Sequence, residues 1–256
     1  MPNLQTAQLG DIPLIWVEPA GVERRPLAIW LHAFSWTKED VVPQLAELAA
    51  RGFLALSWDM PRHGERRDES PDEMKQRVRG NLRRHFWPIL AAATEEVSAV
   101  IDWATRNFDI QPDVGIGGVS MGGDIAVAAA GNDHRIGRVA AALATPDWLR
   151  PGSAEPQGEA GEAQQALYRR FDPLTNAEQY RHRPAMLFIC GDEDRQVPPE
   201  GGEAFVERLG DPYADDRSRL VVVREAGVAH RFTPWMWRQA LAWLEAGKAT
   251  RDSQFS

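Results

Sequence analysis

Of 256 residues only one is a cysteine, Cys190, so an internal disulfide is excluded. It closes the apolar run Ala185-Met186-Leu187-Phe188-Ile189, which reads as a buried strand, and no nucleophile turn surrounds it. No stretch approaches the roughly 18 apolar residues of a membrane span, and the opening Met1-Pro2-Asn3-Leu4-Gln5-Thr6 has no basic segment followed by an apolar run. These absences predict a cytoplasmic protein with no membrane partner. Lysine is scarce, at Lys38, Lys75 and Lys248, and 29 basic side chains face 37 acidic ones, for a formal net charge of −8. That balance argues against a nucleic-acid or anionic-membrane surface. No internal repeat is visible, and 43% hydrophobic with 26% charged residues suggests neither disorder nor fibrous structure.

What is present is an alternation. Apolar β-rich runs at Leu14–Val17, Leu27–Leu31, Phe53–Trp58, Val114–Gly118, Val139–Leu143, Met186–Cys190 and Leu220–Val223 interleave with helical periods at Glu39–Ala50, Asn81–Arg106, Met121–Gly131, Glu200–Leu209 and Pro234–Glu245. This predicts one α/β domain over 1–256, a mostly parallel sheet with helices on both faces. Pro88 should kink or split the second helix. Two segments interrupt the pattern. Pro61–Glu73 is highly charged, and Asp147–Arg181 is too long for an ordinary connection. The latter reads as a small cap at 147–181, with a disordered surface insertion as the alternative. Thr250–Ser256 reads as a loose tail.

Gly118-Val119-Ser120-Met121-Gly122 is a G-x-S-x-G pentapeptide between a predicted strand and a predicted helix, the context in which such a serine is exposed as a nucleophile. Small residues at Gly118 and Gly122 let strand and helix approach, and the Met121 N–H at the helix start can donate to an oxyanion. A dinucleotide cradle is disfavoured, because a G-x-G-x-x-G begun at Gly115 and Gly117 meets Ser120 where the third glycine belongs. A serine N-cap among tightly packed glycines is the plain alternative.

Serine nucleophiles need a base and a carboxylate to orient it. Gly191-Asp192-Glu193-Asp194-Arg195-Gln196-Val197-Pro198 and Gly227-Val228-Ala229-His230-Arg231 each follow an apolar strand, and the order Ser, Asp, His is that of α/β-hydrolases. With Leu31-His32-Ala33-Phe34, Asp59-Met60-Pro61-Arg62-His63-Gly64, His85-Phe86-Trp87 and His230-Arg231-Phe232-Thr233-Pro234, the chain over nearly its whole length resembles small bacterial carboxylesterases of the α/β-hydrolase superfamily. These are related to dienelactone hydrolases and the catalytic domains of prolyl-oligopeptidase-like peptidases.

The resemblance implies an α/β-hydrolase fold with a short cap insertion. It implies Ser120 as nucleophile, His230 as general acid–base and Asp194 as its carboxylate partner, with Asp147 in reserve and Asp192 and Glu193 in a solvated turn. It also implies an oxyanion hole from the Met121 and Phe34 N–H groups. Where relatives carry His-Gly this chain has His32-Ala33, so the loop either needs no positive φ there or has shifted. His32 is expected to brace that loop, and His63, His85, His134 and His182 to be structural or on the surface. No histidine or carboxylate pair has metal-site spacing, and no cofactor is called for. Trp36, Trp87 and Trp148 are expected to wall an acyl pocket. The function this implies is hydrolysis of short-chain carboxylic esters through an acyl-enzyme, with a small-molecule ester as substrate and the oligomeric state left open. A small peptidase or amidase using the same triad, and a non-catalytic binding protein on the same fold, are the alternatives.

Overall fold

In a computed structural model residues 3–21, 24–210 and 212–249 are described, so the predicted tail at 250–256 lies outside them. Eight strands form one sheet: β1 (Leu4–Leu9), β2 (Ile12–Val17), β3 (Arg25–Leu31), β4 (Leu54–Trp58), β5 (Ile110–Val119), β6 (Ile136–Ala142), β7 (Ala185–Gly191) and β8 (Leu220–Glu225). The order is β1-β2-β4-β3-β5-β6-β7-β8. β1 and β2 pair antiparallel, as do β2 and β4, and every pairing from β4 through β3 to β8 is parallel. The middle strands read as unbroken apolar runs because helices cover both faces. β1 escapes sequence reading because Leu-Gln-Thr-Ala-Gln-Leu is nowhere buried. Its only signal is Gly10 (φ 62°) in the tight turn that places Leu9 opposite Ile12.

The helices are α1 (Val42–Ala50), α2 (Pro71–Gly80), α3 (Leu82–His85), α4 (Trp87–Asn107), α5 (Met121–Asn132), α6 (Glu162–Phe171), α7 (Glu200–Arg208) and α8 (Pro234–Ala249). One sheet face carries α1 and α8, with Leu45, Leu48, Met236 and Leu241 packed on Trp30 and Ile189. The other carries α4, α5 and α7, with Val97, Ile101, Ile125 and Phe205 in its core. Pro88 splits the predicted 81–106 helix rather than kinking it: a short α3 ends, Phe86 caps, and α4 restarts with Pro88 in its first turn. α2 begins inside the stretch 61–73 read as irregular and charged and runs on beyond it to Gly80. Its start is a capping box, Ser70 with Glu73, followed by Pro71.

Residues 147–181 contain α6 and a short 3-10 turn at Ala177–Tyr180. They dock beside the sheet: Tyr168 stacks on Trp87 with ring centroids 5.0 Å apart, and the Tyr180 hydroxyl donates to the Val127 carbonyl at 2.8 Å. None of the helices among the described residues is long and apolar enough to cross a membrane.

Candidate active site

Four carboxyl-terminal strand ends converge, the usual place for a site in an open parallel sheet. At the end of β5, Ser120 adopts φ 53°, ψ −114° and caps α5. This strained conformation is rare for a side-chain-bearing residue and turns the hydroxyl outward. Its own N–H donates to the Ala142 carbonyl at 2.8 Å, fastening the turn to β6. The flanking glycines are required sterically. A Cβ on Gly122 would stand 2.4 Å from the Leu31 carbonyl oxygen, and one on Gly118 2.6 Å from the Gly122 carbonyl carbon.

After β8 the chain turns at Gly227 (φ 69°) and delivers His230, half-buried, to Ser120. His230 Nε2 lies 3.0 Å from Ser120 Oγ, and its Nδ1 lies 2.6 Å from Asp194 Oδ2. With Nδ1–H donated to the carboxylate, Nε2 is left to accept the serine proton. Asp194, 4% exposed, is held in turn, because its Oδ1 accepts the N–H groups of Gln196 and Val197, both at 2.9 Å. The structure thus brings Asp194 to His230, and not Asp147. Asp147 instead accepts the Leu149 N–H at 2.9 Å, and burial pushes its carboxyl above the usual range. Asp192 is more than a solvated turn: its carboxylate accepts the Gly227 N–H at 2.7 Å and so pins the loop that carries His230.

Met121 is the first residue of α5, so its N–H has no partner within the helix. The facing loop after β3 needs no positive φ at Ala33. The left-handed residue is Ser35 (φ 67°), in a turn closed by the Trp36 N–H donating to the Ala33 carbonyl at 3.1 Å. Behind it His32, fully buried, donates from Nδ1 to the Ala33 carbonyl at 2.9 Å and accepts the Met60 N–H on Nε2 at 3.1 Å. Burial lowers its pKa, which keeps the ring neutral.

The same loop is tied down by Lys38. Its buried ammonium meets Asp59 at 2.7 Å and Glu65 at 2.5 Å, while Asp59 also accepts the Lys38 N–H at 2.9 Å. Burial alone would raise the Asp59 carboxyl; the Lys38 ammonium and the backbone donors outweigh it and hold the group below its ordinary range. Among the described residues no group of three or more His, Cys, Asp or Glu side chains could hold a metal ion.

Ser120 and His230 open into a cavity of about 360 Å³, with Phe34, Trp36, Val78, Leu82, Phe86 and Leu143 among its apolar walls. Of the three expected tryptophans only Trp36 lines it. Trp87 and Trp148 are corrected to core residues, 2% and 1% exposed. The Trp87 indole N–H donates to the Trp148 carbonyl at 3.1 Å and its ring stacks on Tyr168, so both are spent in holding 147–181 against α4. Sequence reading missed the wall made by α2. There Lys75, Val78 and Arg79 line the cavity at i, i+3 and i+4 of α2, and Leu82 joins them from the start of α3, after the extended residue Asn81.

Comparison with known proteins shows likenesses in sequence and in fold. The chain is 24% identical over 247 residues to Esterase YjfP of Escherichia coli, covering 91% of this chain and 94% of that one. It superposes on TT1662 of Thermus thermophilus with a TM-score of 0.76 at 28% identity, over 95% of this chain and 98% of the other. A puromycin-hydrolyzing peptidase of Mycobacterium tuberculosis shares the fold, with a TM-score of 0.70 at 17% identity over 96% of this chain but 39% of that one. The model of the prolyl oligopeptidase family matches residues 92–245, a span running from α4 through the serine turn to α8. With more than half of its length so matched, this serine hydrolase of α/β-hydrolase fold belongs to the prolyl oligopeptidase family.

Proposed function

We propose that the protein hydrolyses short-chain carboxylic esters through an acyl-enzyme. The observation that carries this reading is the unbroken relay Asp194–His230–Ser120, with contacts of 2.6 and 3.0 Å, opening into a cavity. Ser120 Oγ attacks the ester carbonyl carbon as its proton passes to His230 Nε2. The N–H groups of Met121 and Phe34 receive the oxyanion. His230 then returns the proton to the departing alkoxide, leaving acyl-Ser120, and water repeats the sequence to free the acid and the serine. Asp194 keeps Nδ1–H in place and stabilises the imidazolium. A cavity of about 360 Å³ is at the small end for ligand sites, which suits acetyl to butyryl groups rather than fatty chains.

The family match favours a second reading, cleavage of amides by the same groups. A panel of p-nitrophenyl esters and aminoacyl p-nitroanilides ranks the two. For the chemistry itself, a fluorophosphonate probe is expected to label the peptide containing Ser120. Ser120→Ala is expected to lose label and about 10⁴-fold in kcat; a variant keeping a tenth of wild-type turnover overturns the assignment.

A further inference from the structure

We propose that this cavity selects substrates carrying a negative charge, a carboxylate or phosphate group, away from the bond to be cut. The inference rests on the esterase reading and names its substrate class. The whole chain has a formal net charge of −8, yet the cavity is lined by Lys75, Arg79, Arg150 and Arg231 against a single carboxylate, Glu155.

Arg150 is already committed. It is buried, with Nη2 at 2.6 Å from Asp124 and Nη1 at 3.4 Å from Glu155, and its guanidinium lies 5.1 Å from the centre of the Phe86 ring. Glu155 is likewise held, accepting from Gln196 Nε2 at 3.1 Å. The other three cations are uncommitted or nearly so. Among the described residues no ion pair involves Arg79 or Arg231, and Lys75 meets only the fully solvated Asp72 at 3.7 Å, a contact of little strength.

Their placement argues for a ligand. Lys75 and Arg79 are i and i+4 on α2, where like charges oppose each other and weaken the helix. They bracket Val78, whose side chain is buried at the cavity wall. Arg231 lines the same cavity from the chain segment directly after His230. An apolar floor with a cationic rim on two elements fits a substrate whose hydrocarbon part lies along Val78 while its anion relieves the repulsion at the rim. Arginine adds a fork of donors matched to carboxylate and phosphate oxygens. Long-range repulsion from the acidic chain is screened beyond about 10 Å at moderate salt, so the rim decides at contact distance.

The test compares mono-4-nitrophenyl glutarate with 4-nitrophenyl valerate, nearly equal in size and differing by one charge, with uncatalysed hydrolysis subtracted. At low salt kcat/KM is expected to favour the glutarate by at least about tenfold. The ratio is expected to fall toward one in Lys75→Gln/Arg79→Gln, to fall in Arg231→Gln, and to shrink as sodium chloride is raised. A wild-type ratio of one or less, or a ratio unmoved by both variants, overturns the proposal while leaving the esterase reading intact.

Binding is measured separately, by calorimetry on Ser120→Ala with glutaramate, 3-phosphonopropionamide and neutral valeramide. Tighter binding of either anion supports the proposal even if no ester is turned over, and the better of the two identifies the anion. Equal affinities for all three refute it.

Discussion

Gly122→Ala tests how the fold aims the site. The added Cβ would lie 2.4 Å from the Leu31 carbonyl oxygen, 2.7 Å from the Leu31 carbonyl carbon and 2.8 Å from the His32 carbonyl oxygen. All three are backbone atoms, so no side chain can swing aside, and α5 must lift from β3. Ordinary contact begins at 3.4 Å, which sets the displacement at about 1 Å. Met121 would move with α5 while Phe34 stays with the loop after β3, so the two proposed oxyanion donors would separate. A misplacement of about 1 Å costs on the order of 10²-fold in rate, and overpacking costs about 1–3 kcal/mol of stability. The assay is kcat and KM for p-nitrophenyl acetate beside a urea unfolding curve. Both kcat and the unfolding midpoint are expected to fall, with KM changing less than kcat. Gly80→Ala is the companion: its Cβ would meet nothing within 4 Å, and it is expected to be neutral or stabilising by up to about 1 kcal/mol. Wild-type kcat and midpoint in Gly122→Ala would refute the reasoning.

Asp194→Asn is expected to lower kcat by about 10⁴-fold, far more than Asp147→Asn, and the ranking of the two rates is the check. Phe86→Ala is expected to move the best p-nitrophenyl ester to longer chains, since each buried CH₂ is worth about 0.8 kcal/mol where there is room. Trp87→Phe should leave the chain-length profile as it was, and the reverse pattern would misplace the acyl wall. Burial pushes the Asp172 carboxyl up to about 6 from 3.8, so between those values the folded protein holds a proton that the unfolded chain has lost. This contribution to stability is complete below the unfolded pKa and lost as pH rises through about 6, up to about 3 kcal/mol in all. Melting temperatures between pH 4 and 7 are therefore expected to fall more steeply in the wild type than in Asp172→Asn; parallel curves would contradict this.

The parts of the fold read correctly in sequence are those where one physical demand dominates. β3, β5, β6 and β7 are covered on both faces, so each appears as an apolar run and nothing else competes. The serine turn is legible for a related reason: a strained φ at Ser120 and a helix resting on β3 leave room only for glycine at positions 118 and 122. β1 and α2 were missed because little apolar sequence marks either of them. β1 is exposed or half-exposed throughout and is held by its ladder to β2. α2 is half charged, buries only Met74 and Val78, and begins with a Ser70–Glu73 box, a signal outweighed by the charge run around it.

The cavity wall was harder to read because it turns on a single residue of helical phase. Phe86 and Trp87 are neighbours, and an α-helix sends neighbouring side chains about 100° apart, so only one of them can face Ser120. The choice is made by Pro88, which belongs in the first turn of a helix and so starts α4 at Trp87, leaving Phe86 at the joint with α3. Phe86 then faces the cavity under Arg150, and Trp87 turns to Tyr168 of α6. The expectation that Pro88 kinks or splits the helix read over 81–106 does not say which neighbour turns to the cavity, and so leaves the identity of the acyl wall open. The segment 147–181 follows from the same turn of phase: the aromatic surface it packs on is Trp87. It therefore lies along α4, and of its side chains only Arg150 and Glu155 reach the cavity.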